Sequence, residues 1–156
     1  MARFTATNAS TAVIKASRAD IWAAITDPEV LPRLTPLLES IETYGDVWRW
    51  KLANLSVLGV SVDPSFTERM RFEPTRRIDY DHEPAEGVQE RAGAAGSYVL
   101  KDHPEGTHLA MRIALTVELP LSRLSAPAVE GIMRAVMLQT GTRFAGNLHK
   151  HLRIAS

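Results

Sequence analysis

Apolar residues along this chain change their spacing twice, and the changes divide it into elements. Phe4, Ala6, Ala12 and Ile14 share one parity, which predicts an extended first segment with alternate side chains turned inward. Ser17-Arg18-Ala19-Asp20 then opens a short helix. Ser17 is placed to cap the amide three residues on, Asp20 lies at the positive end, and Ile21, Trp22 and Ile25 supply the buried side. Asp27-Pro28 closes it and starts a second short helix through Val30, Leu31, Leu34, Leu37 and Leu38, bent or broken by Pro32 and Pro36.

From Glu39 the period becomes two. Ile41 and Thr43 lead to a Gly45-Asp46 turn, and Trp48, Trp50 and Leu52 then alternate with Arg49 and Lys51. After a turn near Gly59, Val60, Val62, Phe66, Met70 and Phe72 keep even parity up to Pro74. Asp63-Pro64 inside that run predicts a bulge or an edge position, because proline donates nothing to the ladder. Ile78, Tyr80 and His82 form another short strand, with a turn from Pro84 to Gly87. Glu90 to Leu100 is small and glycine-rich until Tyr98, so its first half reads only weakly as a strand. The cleanest strand follows, with Leu109, Met111, Ile113, Leu115, Val117 and Leu119 on one parity.

Pro120 stops that strand, and the spacing changes again. From Pro127 to about Leu152, Val129, Ile132, Met133, Val136, Met137, Thr140, Phe144 and Leu148 fall on one side of a helix at 100° per residue. Such a helix spans about 39 Å at 1.5 Å per residue, enough to cross a small domain. Arriving after a series of strands, it must bury its stripe against their sheet, an arrangement that leaves room for a cavity.

Composition narrows the picture. A length of 156 residues with 45% apolar content suits one domain, 1–156, with a core of its own. Absence of cysteine removes disulfides, thiolate metal sites and a cysteine nucleophile, and accords with a reducing cytoplasm. Lysine plus arginine equals aspartate plus glutamate, so no long-range field draws the protein to nucleic acid or anionic lipid. The first residues lack the apolar run of a secretion signal, and no stretch approaches the roughly 18 apolar residues of a membrane span. A cytoplasmic protein without nucleic-acid partner or membrane span is expected.

The segment Ser17-Arg18-Ala19-Asp20-Ile21-Trp22-Ala23-Ala24-Ile25-Thr26-Asp27-Pro28-Glu29-Val30-Leu31 resembles the capped, aromatic-bearing first helix and aspartate-proline junction of the SRPBCC, or START-like, superfamily. Glu105-Gly106-Thr107 before the long strand and Asn147-Leu148-His149-Lys150-His151-Leu152 near the end are similar to family features too. The resemblance covers about residues 8 to 152. It implies an α+β helix-grip fold: a curved antiparallel sheet of about seven strands wrapped around a long C-terminal helix, with two short helices after the first strand. It also implies a cavity under that helix, used in relatives for lipids, sterols, polyketides, hormones or aromatic substrates, and fold alone does not choose among them.

Candidate chemistry lies where polar groups share the inward parity. Glu68 stands between Phe66 and Met70, where an unpaired carboxylate is costly. It is either a cavity acid, base or ligand anchor, or a group turned away by a bulge at Pro64 or neutralised by an arginine at the cavity mouth. Tyr80, His82 and Tyr98 offer two phenols and an imidazole to a ligand oxygen, or are ordinary packing and rim residues. Met133, Val136, Met137, Thr140 and Phe144 on the last helix are expected to line the cavity with Trp50, Phe66, Met70 and Met111 from the sheet. Thr140 and Asn147 are placed to meet a ligand's polar end, while Trp22 reads as a buried structural residue.

No catalytic set, metal site or cofactor is expected. Two imidazoles spaced as His149 and His151 stand about 200° apart on a helix and cannot share one metal, so His149-Lys150-His151 reads as a solvated tail. Gly93-Ala94-Ala95-Gly96 lacks the strand-to-helix setting of a nucleotide loop. The preferred function is binding of a small apolar or amphipathic molecule under the final helix. The alternatives are a polyketide cyclase or dehydratase-like enzyme using Glu68, Tyr80, His82 or Tyr98 on a carbonyl compound, and a protein-interaction or co-chaperone module with a closed core.

Overall fold

The computed structural model describes residues 1–153. Even-parity side chains of β1 (Ala2–Ile14) turn inward, and the strand pairs along its whole length with β9 (Gly106–Leu119), antiparallel, from Ala2 opposite Leu119 to Ile14 opposite Thr107. That register places Phe4, Ala6 and Ile14 against Leu109, Val117 and Leu119 on one buried face. The other strands of this sheet are β2 (Leu38–Tyr44), β3 (Val47–Leu52), β6 (Phe66–Glu73), β7 (Arg77–His82) and β8 (Ala92–His103). All seven join one antiparallel sheet in the order β1-β9-β8-β7-β6-β3-β2. Consecutive strands β1 and β2 therefore occupy opposite edges, and the chain between them must cross the open side of the curved sheet.

That crossing is made by α1 (Arg18–Ile25) and α2 (Leu31–Leu34). Ser17 caps α1 as expected, its hydroxyl accepting from the Asp20 amide at 3.1 Å. Arg18 fixes the helix to two distant turns, reaching Asp102 at 2.8 Å and the Thr75 carbonyl at 3.0 Å. Behind it, the Thr107 hydroxyl donates to the Ala16 carbonyl at 2.7 Å. Gly106, at φ +138°, lies so close to the Ile14 carbonyl that a side chain would collide with it. The glycine and threonine of Glu105-Gly106-Thr107 thus fasten the β8–β9 turn to the end of β1.

The 26-residue α3 (Ala126–His151) follows a short 3₁₀ turn (Arg123–Ser125). Val129, Met133, Met137, Phe144 and Leu148 form its buried stripe. Its closest backbone approaches are to β1 and α2. The assembly is the α+β helix-grip arrangement. Among the described residues, no helix is long and apolar enough to cross a membrane.

Three expectations change in detail. The second helix shrinks to one turn: Pro28 lies in the turn before it, Leu37 adopts φ +71°, and Leu38 already belongs to β2. Closely spaced Pro32 and Pro36 leave no longer helical run possible. The segment expected as one bulged strand is interrupted, because β4 (Leu55–Val57) and β5 (Val60–Val62) make a separate hairpin and Asp63-Pro64 is the break before β6. The glycine-rich start of β8 is fully paired, from Ala92 opposite Val117 onward, because β9 supplies a complete ladder that compensates its weak propensity.

Candidate functional site

The concave face gathers its polar groups near the middle of the sheet. On β6, Phe66, Glu68 and Met70 all point inward, and Glu68 is 1% exposed. No bulge resets its parity, since Trp48 stands opposite it on β3 and the ladder is regular on both sides. Among the described residues nothing hydrogen-bonds Glu68 Oε2, nor the buried Trp50 Nε1 on the neighbouring strand. Burial pushes the Glu68 carboxyl well above the usual carboxylate range, and the negative charge of Asp81 adds to the shift. Its surroundings thus favour the protonated form.

Two phenols complete the cluster. Tyr80 on β7 and Tyr98 on β8 lie with ring centroids 5.9 Å apart. The Tyr80 hydroxyl donates to the Arg112 carbonyl at 3.2 Å, crossing Gly96, where any side chain would meet both that carbonyl and the phenol oxygen. This close approach gives the glycine at 96 a physical reason. Burial raises the pKa of both tyrosines; for Tyr80 the neighbouring Tyr98 and then Glu68 add to it, and for Tyr98 Glu68 does. Both therefore stay neutral hydrogen-bonding groups. Trp50 stacks on Phe66 at 6.3 Å and 18°, forming an apolar wall beside the carboxyl.

His82 does not join them. Its ring rests on Gly93, whose outward direction is shared by Thr116 and by the exposed Thr5 bonded to Thr116 at 3.1 Å, so the imidazole lies on the convex face. There His82 Nε2 meets Glu90 Oε1 at 3.0 Å, and Glu90 also accepts from the Thr67 amide and hydroxyl at 2.8 and 2.7 Å. The strand pairing of β7 ends at His82, which frees its side chain from the inward parity. Glu90, in the loop before β8, escaped sequence reasoning, because a carboxylate in a polar loop carries no periodic signal.

From α3, Met133, Met137 and Phe144 are buried, whereas Val136 and Thr140 remain half-buried. Met111 and Tyr98, and with them Ile113 and Leu115, also keep accessible surface although their parity turns them beneath the helix. Because α3 approaches the backbone of β1 and α2 most closely, its packing is uneven across the sheet. Asn147 is engaged elsewhere: its side-chain amide donates to the Leu34 carbonyl at 3.0 Å, tying α3 to α2. His149 is half-buried with Nε2 enclosed, so the solvated-tail reading fits only Lys150 and His151.

Two depressions are distinct. One, about 190 Å³, lies on the convex face between His82, Glu90, Arg3 and Glu118. The other, about 400 Å³ and widely open, is walled by Trp22, Trp48 and Phe72. Neither is lined by the α3 residues expected to form the cavity. Trp22, expected buried, is half-buried at the edge of the second depression, with Phe72 edge-on at 6.2 Å.

No family model matches the sequence, and no curated protein does. Solved structures do match in fold. The di-domain ARO/CYC protein StfQ from the steffimycin biosynthetic pathway superposes with a TM-score of 0.65 at 12% identity, over 93% of this chain and 49% of its own. The di-domain ARO/CYC protein BexL from the BE-7585A pathway gives 0.65 at 12%, over 98% of this chain and 52% of its own. A conserved protein from Geobacillus kaustophilus gives 0.65 at 15%, over 96% and 95%. The chain spans about half the length of the two di-domain proteins. At these identities the likeness is one of fold: the chain shares the helix-grip arrangement of these structures.

Proposed function

We propose that the protein binds a small apolar or amphipathic molecule between the concave sheet and α3, with a polar group of the ligand meeting Glu68. The observation that carries this reading is the buried, unpartnered Glu68 oxygen, accompanied by the unpartnered Trp50 indole N–H. A buried polar atom without a partner costs about 1–3 kcal/mol, and a ligand that completes its hydrogen bond returns that energy as affinity. A protonated Glu68 donates to a carbonyl or hydroxyl oxygen, Trp50 Nε1 donates beside it, and methionine, phenylalanine and leucine side chains surround the apolar remainder.

Native mass spectrometry of the purified protein tests this. A non-covalent small-molecule adduct released by organic solvent is expected, and Glu68→Gln and Trp50→Phe are each expected to weaken rebinding of the extracted compound by roughly tenfold, or about 1.4 kcal/mol. Absence of any adduct, together with no binding across a panel of apolar compounds, would remove the reading. A catalytic variant of it is favoured by one feature, the elevated carboxyl of Glu68 beside two neutral phenols, which suits a general acid toward a bound carbonyl. The names of StfQ and BexL point in the same direction. Retained binding with abolished conversion in Glu68→Gln would establish catalysis in place of binding alone.

A further inference from the structure

We infer that the open depression walled by Trp22, Trp48 and Phe72 is a second binding site, for a flat, uncharged aromatic group. It lies where α1 meets the free edge of the sheet, and its outer limits are set by Pro28 and Pro74. Its volume of about 400 Å³ falls in the range of small-molecule sites, roughly 300–1,000 Å³. Three aromatic rings converge there at different angles: Phe72 stands edge-on to Trp22 at 81° and tilted to Trp48 at 50°, with centroids 5.7–6.2 Å apart. Faces and edges so arranged accept another ring by offset or edge-to-face contact.

Local packing leaves Trp22 and Phe72 partly available, while Trp48, at 5% exposed, presents only a small part of its ring. The buried side of α1 is already supplied by Ile21, Ala24 and Ile25, so Trp22 is left over and half-exposed. Phe72 is likewise half-buried although Met70, one step along the same face, is 3% exposed. Selectivity follows from what the lining lacks. None of the residues lining the depression is charged, and the polar groups of its side chains are the hydroxyls of Thr26 and Thr43 and the indole N–H groups of Trp22 and Trp48. The Thr26 hydroxyl donates inward to the Trp22 carbonyl at 2.6 Å, leaving only its acceptor lone pairs free. A charged ligand would lose hydration without a counter-charge, whereas a neutral ring bearing one hydroxyl loses little.

This site is separate from the ligand position proposed at Glu68, although Trp48, one of its lining residues, also lies 6.3 Å from Trp50. The inference does not depend on a ligand being bound at Glu68. Titration of the full chain with 1-naphthol, neutral at pH 7, followed by the indole N–H resonances of Trp22, Trp48 and Trp50, tests it. Trp22 and Trp48 are expected to shift together. Thr43→Arg, which puts a charge at an exposed lining position, is expected to weaken the affinity at least about tenfold, and Thr43→Val to leave it within about twofold. Pro74→Glu supplies the same test from the turn after β6 should Thr43→Arg fail to fold. The anionic isostere 1-naphthoate is expected to bind at least about tenfold more weakly than 1-naphthol. No saturable binding, shifts confined to Trp50, affinity indifferent to the charge-inserting variant that folds, or equal binding of the naphthoate would each overturn the proposal. Shifts confined to Trp50 would at the same time favour the position proposed at Glu68 as the ring's site, so the two readings fail separately.

Discussion

At the scale of single residues, Glu68 is the position where stability and function pull apart. Its carboxyl is held above the ordinary range in the folded chain, so the folded state keeps a proton that the unfolded chain releases at lower pH. The folded state then binds more protons than the unfolded one, and stability falls as pH rises. The contribution of this group is complete below the ordinary carboxylate pKa and declines from about pH 4 upward toward the raised value. Glu68→Gln should remove that decline, and Glu68→Met should raise stability at pH 7 by about 1–3 kcal/mol while weakening ligand binding. Urea midpoints measured across pH 4–8 for the three proteins check this; parallel pH profiles would show that Glu68 is ionised or paired in the folded state.

At the scale of elements, the division of labour within α1 decides how much Trp22 matters. Ile21 and Ile25 are almost fully buried, whereas Trp22 is half-buried and borders an open depression. Its replacement by alanine should therefore cost about 1–3 kcal/mol, below the 3–5 kcal/mol of an enclosed tryptophan. Reversible denaturation of Trp22→Ala measures it, and a loss above about 4 kcal/mol would mark the ring as core. The same helix shows what a sequence can reveal. Ser17 as a cap and the inward parity of β1, β3 and β9 are legible because capping and alternation are local and periodic. Glu68 is legible for the same reason, its neighbours Phe66 and Met70 fixing the face. His82 is not, because it is the last paired residue of β7 and the parity that places Tyr80 stops binding it. The half-exposure of Trp22 is equally hidden: helical spacing groups it with Ile25, and only the position of Phe72 and Trp48 across the gap shows that the ring borders open space. The β4–β5 hairpin escaped because three-residue strands are too short for alternation to separate them from the run that follows.

At the scale of the whole molecule, the seven-stranded sheet is paired continuously along its long β1–β9–β8 ladders, while the backbone of α3 packs mainly on β1 and α2, with the Asn147–Leu34 hydrogen bond between the helices. A ligand between α3 and the sheet would contact both, and their buried side chains belong to one core, so its binding should register as stabilisation of the entire fold rather than of one segment. A ligand at about 100 times its dissociation constant adds roughly 2.7 kcal/mol to folding, provided it ignores the unfolded chain. For a chain of this size each kcal/mol moves the melting temperature by about 2–4 °C, so a rise of about 5–11 °C is expected on saturation. Removing co-purified material by unfolding and refolding should lower the melting temperature by a similar amount, and adding it back should restore it. Glu68→Gln should reduce this ligand-induced rise while starting from a stability at pH 7 no lower than that of the parent protein. A parent melting temperature unmoved by extraction and by re-addition would mean that the Glu68 oxygen stays unpartnered whatever the solution holds, and the surroundings of Glu68 would then have to be regarded as plain core.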